Sequence, residues 1–235
     1  MRRRLHCAPR SREPRLSPTT SIALLWIAFT ATHLGLASRR VEPKLRAKLG
    51  DLAFLGLYSV VALALFVPLM SIYFGHRHAG PWLWVVTVGP VLRVFLYLGM
   101  TLGLVLAVGS FLRPSPASLV PNAPAEVRGI YRVTRHPLVL GLALIWALHL
   151  IPNASTADVA FFGGFLLFSL AGAWHQDARK LAAGDPRLRA FIEATSFLPF
   201  GRGVGGLADL PLLVVALGVV AALGIRWLHP GPLWP

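Results

Sequence analysis

The stretch "RVTRHPLVLGLALIWALHL", residues 132–150, decides how the chain is read. Arg132, Arg135 and His136 crowd against Pro137, and the run beyond the proline is apolar or small until His149. A greasy run opened by cations is how a membrane helix leaves the side of the bilayer where basic residues collect. Pro137 suits the first position of such a helix, because the N–H it lacks would have no intrahelical partner there. The two histidines lie thirteen residues apart in the sequence, about 20 Å along a helix. An imidazole inside a hydrocarbon layer is costly, so its presence asks for a chemical reason.

The rest of the chain agrees with a membrane reading. Of its 235 residues 55% are hydrophobic and 14% charged, against about 25% charged in soluble domains, and the mean hydropathy is +0.64. Nearly uncharged runs at about 20–38, 51–74, 88–111, 137–152, 158–177 and 209–228 have lengths near the roughly 20 residues that cross a bilayer. The expected fold is all-α, a polytopic membrane protein of about six transmembrane helices in a bundle, over residues 20–235. Residues 1–19, rich in Arg, Pro and Ser, read as a disordered basic tail.

Charge then sets an orientation. Loops 1, 3 and 5 hold Arg39, Arg40, Lys44, Arg46 and Lys48, then Arg113, Arg128, Arg132 and Arg135, then Arg179, Lys180, Arg187, Arg189 and Arg202, while loops 2 and 4 hold Arg77 alone. The positive-inside rule puts the odd loops in the cytoplasm, as in a bacterial inner membrane, and both termini outside. The basic tail opposes this, so either the start codon is placed too far upstream or the tail is translocated despite its charge. The net charge of +14 belongs to these loops and to an anionic lipid surface, not to nucleic acid. Trp82, Trp84 and Trp234 fall where indoles anchor at the outer interface. Cys7 has no partner for a disulfide.

Among the eight histidines, His6, His76, His78 and His229 read as solvated or interfacial. His33, His136, His149 and His175 lie in or at the ends of spans. Singly, each is explained by an interhelical hydrogen bond; two or more on separate helices suggest a shared ligand, since neutral imidazole is the commonest metal ligand. Zinc would want three or four protein ligands, and the spans offer few carboxylates and no cysteine. Haem needs only one or two axial side chains and an apolar slot. Trp26, Phe29, Trp146 and Trp174 are candidates to line such a slot, with plain packing as the alternative.

The segments "THLGLASRR", "LGDLAFLGLYSVVAL", "GIYRVTRHPLVLGLALIWALHL", "FGGFLLFSLAGAWHQDARKL" and "FIEATSFLPFG", in this order, resemble the NnrU family and, in the same superfamily, zeta-carotene isomerases. The resemblance to NnrU implies a link to nitrogen-oxide metabolism (denitrification). The resemblance to the isomerases implies an integral membrane enzyme acting on a polyene, with haem b held by two histidines that map onto His33 and His149. Trp146 stands where those isomerases have a cysteine, so no thiolate alternative is carried over. Depth on ideal spans favours other partners. His33 falls near the cytoplasmic end of its span, and axial nitrogens must approach to about 4 Å (two iron–nitrogen bonds of about 2 Å), so His136 or His175 reaches His33 more easily than His149.

Two other classes stay open from sequence. "TRHP" also resembles membrane methyltransferases of the isoprenylcysteine type, in which Arg132, Arg135 and His136 would hold the carboxylate of S-adenosylmethionine. A non-catalytic accessory factor is the third class, with the cationic pair anchoring to lipid phosphates and Asp177 in a simple interfacial ion pair with Arg179 or Lys180.

Overall fold

The computed structural model describes residues 16–115, 117, 126–184 and 186–229, and within them the chain is all helical. The basic tail with His6 and Cys7, and Trp234 near the other terminus, lie outside the described residues. Four helices are long and apolar enough to cross a bilayer: α1 Pro18–Leu36, α3 Asp51–Gly75, α4 Pro90–Leu112 and α7 Thr156–Leu181. Two shorter apolar ones complete the expected six, α6 Pro137–Leu150 and α9 Leu212–Leu228. Between them lie α2 Glu42–Leu49, α5 Ile130–Val133 and α8 Pro186–Ala194.

Local chemistry sets the helix starts. Pro18, Pro90 and Pro137 open their helices, where a missing N–H costs nothing. Ser17 and Ser155 cap α1 and α7 by accepting from the N–H groups of Thr20 and Asp158, each at 3.1 Å.

Packing places the helices in a row, α3–α1–α7–α6–α4–α9, with α3 also brushing α7. In lipid, apolar burial does not drive helices together, so close approach through small residues decides which faces meet. Gly103 of α4 and Gly141 of α6 show this: a Cβ on either would stand 2.5–2.6 Å from the other's carbonyl oxygen. Gly164 of α7 opens a slot for Trp26, whose ring would lie 2.2 Å from an added Cβ.

The segment between α3 and α4 hooks over the α6–α7 turn. Leu83 N–H donates to Ala154 (2.9 Å), Thr156 N–H to Pro81 (2.9 Å), and the Trp84 indole to the Ile151 carbonyl (3.1 Å). This segment carries the expected Trp82 and Trp84, 50% and 39% exposed. His78, expected to be merely solvated, holds the hook down. At φ +61 it presents both its N–H (3.3 Å) and its ring Nδ1 (2.9 Å) to the buried carboxylate of Asp158. Tyr73 and Ser155 donate to the same carboxylate at 3.0 and 2.7 Å.

Candidate functional site

Phe161, Phe162, Phe165 and Phe168 recur at helical spacing on one side of α7. Three helices pack against that aromatic face. From α1 come Trp26, Phe29 and His33; from α3 come Phe66 and Tyr73; from α6 come Trp146 and His149. Trp146 stacks on Phe165 at 4.3 Å between ring centroids, and Trp26 meets the same ring edge-on at 4.6 Å. Tyr73 lies flat on Phe161 at 3.6 Å. Each such pair adds about 0.5–1.5 kcal/mol beyond area burial.

Two imidazoles sit over this face. His149 stacks on Phe162 (5.1 Å), and its Nδ1 lies 2.8 Å from the Ile145 carbonyl. In the neutral tautomer Nδ1 donates that bond and leaves the Nε2 lone pair for a ligand, the usual wiring of a metal-bound histidine. His33 lies against Phe29, Phe168 and Tyr58 at 4.7–5.2 Å, and the Tyr58 hydroxyl reaches its carbonyl. The His33 Nδ1 and the Trp26 indole nitrogen are both buried without a hydrogen-bond partner among the described residues. Buried polar atoms are almost always paired, so the His33 orphan makes this aromatic face the candidate site, while the Trp26 nitrogen packs against Gly164.

Two imidazoles with uncommitted nitrogens and flat aromatic walls are the donor chemistry haem uses, but Trp146, Phe165 and Trp26 pack between them, and both would reach one iron, with axial nitrogens about 4 Å apart, only if those rings part. Among the described residues no cluster of three or more His, Cys, Asp or Glu side chains could hold a bare metal ion.

Depth is corrected by the structure. Along α7, His33 is level with Phe168 and His149 with Phe162, six residues or about 9 Å apart. His136 is level with Asp177, nine residues or about 14 Å from Phe168. His175, on α7 itself, is seven residues from Phe168, about 10 Å. His149 is thus nearer in depth to His33 than His136 is, the reverse of the ideal-span arithmetic. The reason is that α6 starts deep, pinned at Asp177, while α7 runs on to Leu181.

The "TRHP" residues assemble elsewhere. Asp177 accepts from Arg135 Nε at 2.7 Å and pairs with His136 Nε2 at 2.8 Å. It does not pair with Arg179, which reaches Glu42 of α2 at 2.5 Å. Thr134 Oγ1 donates to the Phe197 carbonyl (2.6 Å), and the Arg135 guanidinium lies over the Phe197 ring at 5.2 Å. Arg132 pairs with Asp209. The cations that an S-adenosylmethionine carboxylate would need therefore already face carboxylates of this chain. His136, only 4% exposed, has its Nε2 committed to Asp177. Trp174 also leaves the aromatic group: it is 68% exposed, away from Trp26 and Trp146.

The cluster of Tyr73, His78 and Asp158 at the start of α7 is not foreseen from the sequence. Its legible signal is "STAD", a Ser-x-x-Asp capping pattern at 155–158 that places a carboxylate in the first turn of a span.

The chain has relatives among known proteins. It is 29% identical to the chloroplastic 15-cis-zeta-carotene isomerase of Zea mays over 224 residues, covering 88% of this chain and 59% of that protein. It is 28% identical to the isomerase of the same name from Arabidopsis thaliana over 204 residues, 83% of this chain and 53% of that one. The chain thus spans between half and three-fifths of the length of these relatives. No solved structure matches it. The family model described as "NnrU protein" matches residues 21–233, and with nearly the whole of its length inside that match the chain belongs to the NnrU family.

Proposed function

We propose that the protein is a membrane-embedded isomerase that takes an apolar polyene onto the aromatic face of α7. In this reading haem b is held by His33 and His149, and the basic connections face the cytoplasm. One observation carries it: two imidazoles, each with an uncommitted ring nitrogen, stand over one aromatic face. It is supported by relatives whose name is 15-cis-zeta-carotene isomerase.

A polyene offers no hydrogen-bonding group, so its recognition has to come from dispersion and contact with flat rings. Trp146, Phe165 and Trp26 supply those rings midway between the two histidines. Their packing also keeps water from the conjugated chain. Ile145, through its carbonyl, fixes the tautomer of His149, and Phe29 and Phe168 hold the His33 ring in place. When bound, haem would supply an iron able to act on the polyene.

The test is made in cells that accumulate 15-cis-zeta-carotene. Expressing the chain is expected to change the isomer ratio read by chromatography, and Trp146→Ala is expected to reduce the change. An isomer ratio identical to that of cells without the protein, with the protein folded in the membrane and loaded with haem, would overturn the reading.

A further inference from the structure

The "TRHP" and "TSFLPF" stretches have no part in the proposed isomerase site. They converge instead on a cavity of about 430 Å³ at the other side of α7, within the range of sites that hold small ligands. Leu170, Trp174 and Leu181 project from α7 away from Phe161, Phe165 and Phe168. With Ile192 of α8 and Phe197 they make apolar walls, and Arg135 and Asp177 supply the polar wall.

We infer that this cavity binds an anionic phospholipid from the leaflet facing the basic connections, one acyl chain inside and the headgroup at the Arg135 end. The inference does not depend on the isomerase reading.

Position is the first argument. Trp174, Asp177 and Leu181 belong to the last turns of α7, where the chain leaves the hydrocarbon for the headgroup layer. Trp174 is 68% exposed there, as indoles at a membrane interface are. Next comes α8, which buries Leu188 and Phe191 and turns Arg187 and Arg189 outward. That is the pattern of a helix lying in the interface plane, and its Ile192 lines the cavity.

Charge complementarity is the second. Asp177 offsets Arg135, yet the guanidinium has five N–H donors, of which Nε goes to Asp177 and one Nη lies at 3.4 Å from the Thr195 carbonyl. Nearby, Arg189 is exposed on α8, while Arg179 pairs with Glu42 and Arg202 donates to the Glu193 carbonyl. Basic residues at a membrane surface attract anionic lipid. An apolar slot with a guanidinium in its polar wall suits a molecule with one apolar chain and one negative end.

The experiment uses the full chain purified in mild detergent and read by native mass spectrometry. Phosphatidylglycerol, phosphatidylcholine and glycerol phosphate are offered separately. Phosphatidylglycerol is expected to be retained about tenfold better than phosphatidylcholine, as one or two cations near an anionic headgroup would provide. Glycerol phosphate alone is expected not to bind. A photoreactive phosphatidylglycerol should crosslink to peptides within 170–181 or 188–197 of the wild-type chain, and Ala178→Trp, which fills the cavity without touching the ion pairs, should lower the yield severalfold. Equal retention of the two lipids, crosslinks confined to other helices, or binding of glycerol phosphate as tight as that of the lipid would each overturn the inference. The crosslink map on the wild-type chain decides the matter even if Ala178→Trp fails to fold.

Discussion

Helix α7 carries one buried carboxylate at each end, and the two are used differently. Asp158 in the first turn and Asp177 near the last are nineteen residues apart, about 28 Å, close to the roughly 30 Å of a hydrocarbon core. Both meet a histidine. Asp158 accepts from neutral hydroxyls, those of Tyr73 and Ser155, and from His78, whose side chain is 52% exposed. Asp177 meets Arg135 and His136, with side chains 13% and 2% exposed. Asp158 latches a surface segment, while Asp177 neutralises a buried cation and fixes where α6 begins along α7. Between them the inward side of α7 is aromatic, and the imidazoles over it are those of His33 and His149. The comparison teaches that the polar chemistry sits at the ends of α7 and leaves its middle aromatic.

The largest effect should come from the Asp177 end. Asp177→Ala strands Arg135 and His136 and is expected to cost about 3–5 kcal/mol, read as a fall in thermal stability in detergent. At the other end, Asp158→Ala leaves the Tyr73 hydroxyl buried and unpaired, at about 1–3 kcal/mol; fluorescence of Trp82 and Trp84 should report release of the hook. If the Asp158 variant proves the more damaging, the contrast between the two ends fails.

In the middle, Gly164→Ala pushes a methyl into the Trp26 ring and should cost about 1–3 kcal/mol, with loss of haem binding disproportionate to the loss of stability. Tyr73→Phe keeps the stack on Phe161 and removes one hydrogen bond, an effect of about 1 kcal/mol that a denaturation curve would resolve. Smallest of all, Glu42→Gln weakens partly exposed pairs with Arg46 and Arg179 and should change stability by no more than about 1 kcal/mol.

Much of the fold was legible in the sequence because bilayer thickness fixes span length and proline marks helix starts, as at Pro137. Which helices would be neighbours was not legible. That depends on pairings such as Trp26 with Gly164 and Gly103 with Gly141, residues far apart in the sequence whose fit exists only in three dimensions. The site was legible in part. Trp26, Phe29 and Trp146 gather as their residue type suggested, but Trp174 projects from the opposite side of α7. The depth of His149 was misjudged because the span rule treats every helix as starting at the membrane face, whereas the Asp177 pairing draws the start of α6 inward. The role of His78 was hidden because nothing nearby in the sequence announces a carboxylate eighty residues away.

The central claim is that His33 and His149 form the ligand-binding pair. Absorption spectra of the purified chain, oxidised and then dithionite-reduced, test it most directly, with His33→Ala, His136→Ala, His149→Ala and His175→Ala measured alongside. The expected result is a Soret band with sharp reduced α and β bands that is lost or shifted in the His33 and His149 variants and kept in the other two. A spectrum without these bands from well-folded protein in haem-supplemented cells, or bands that depend on His136 or His175 instead, would contradict it.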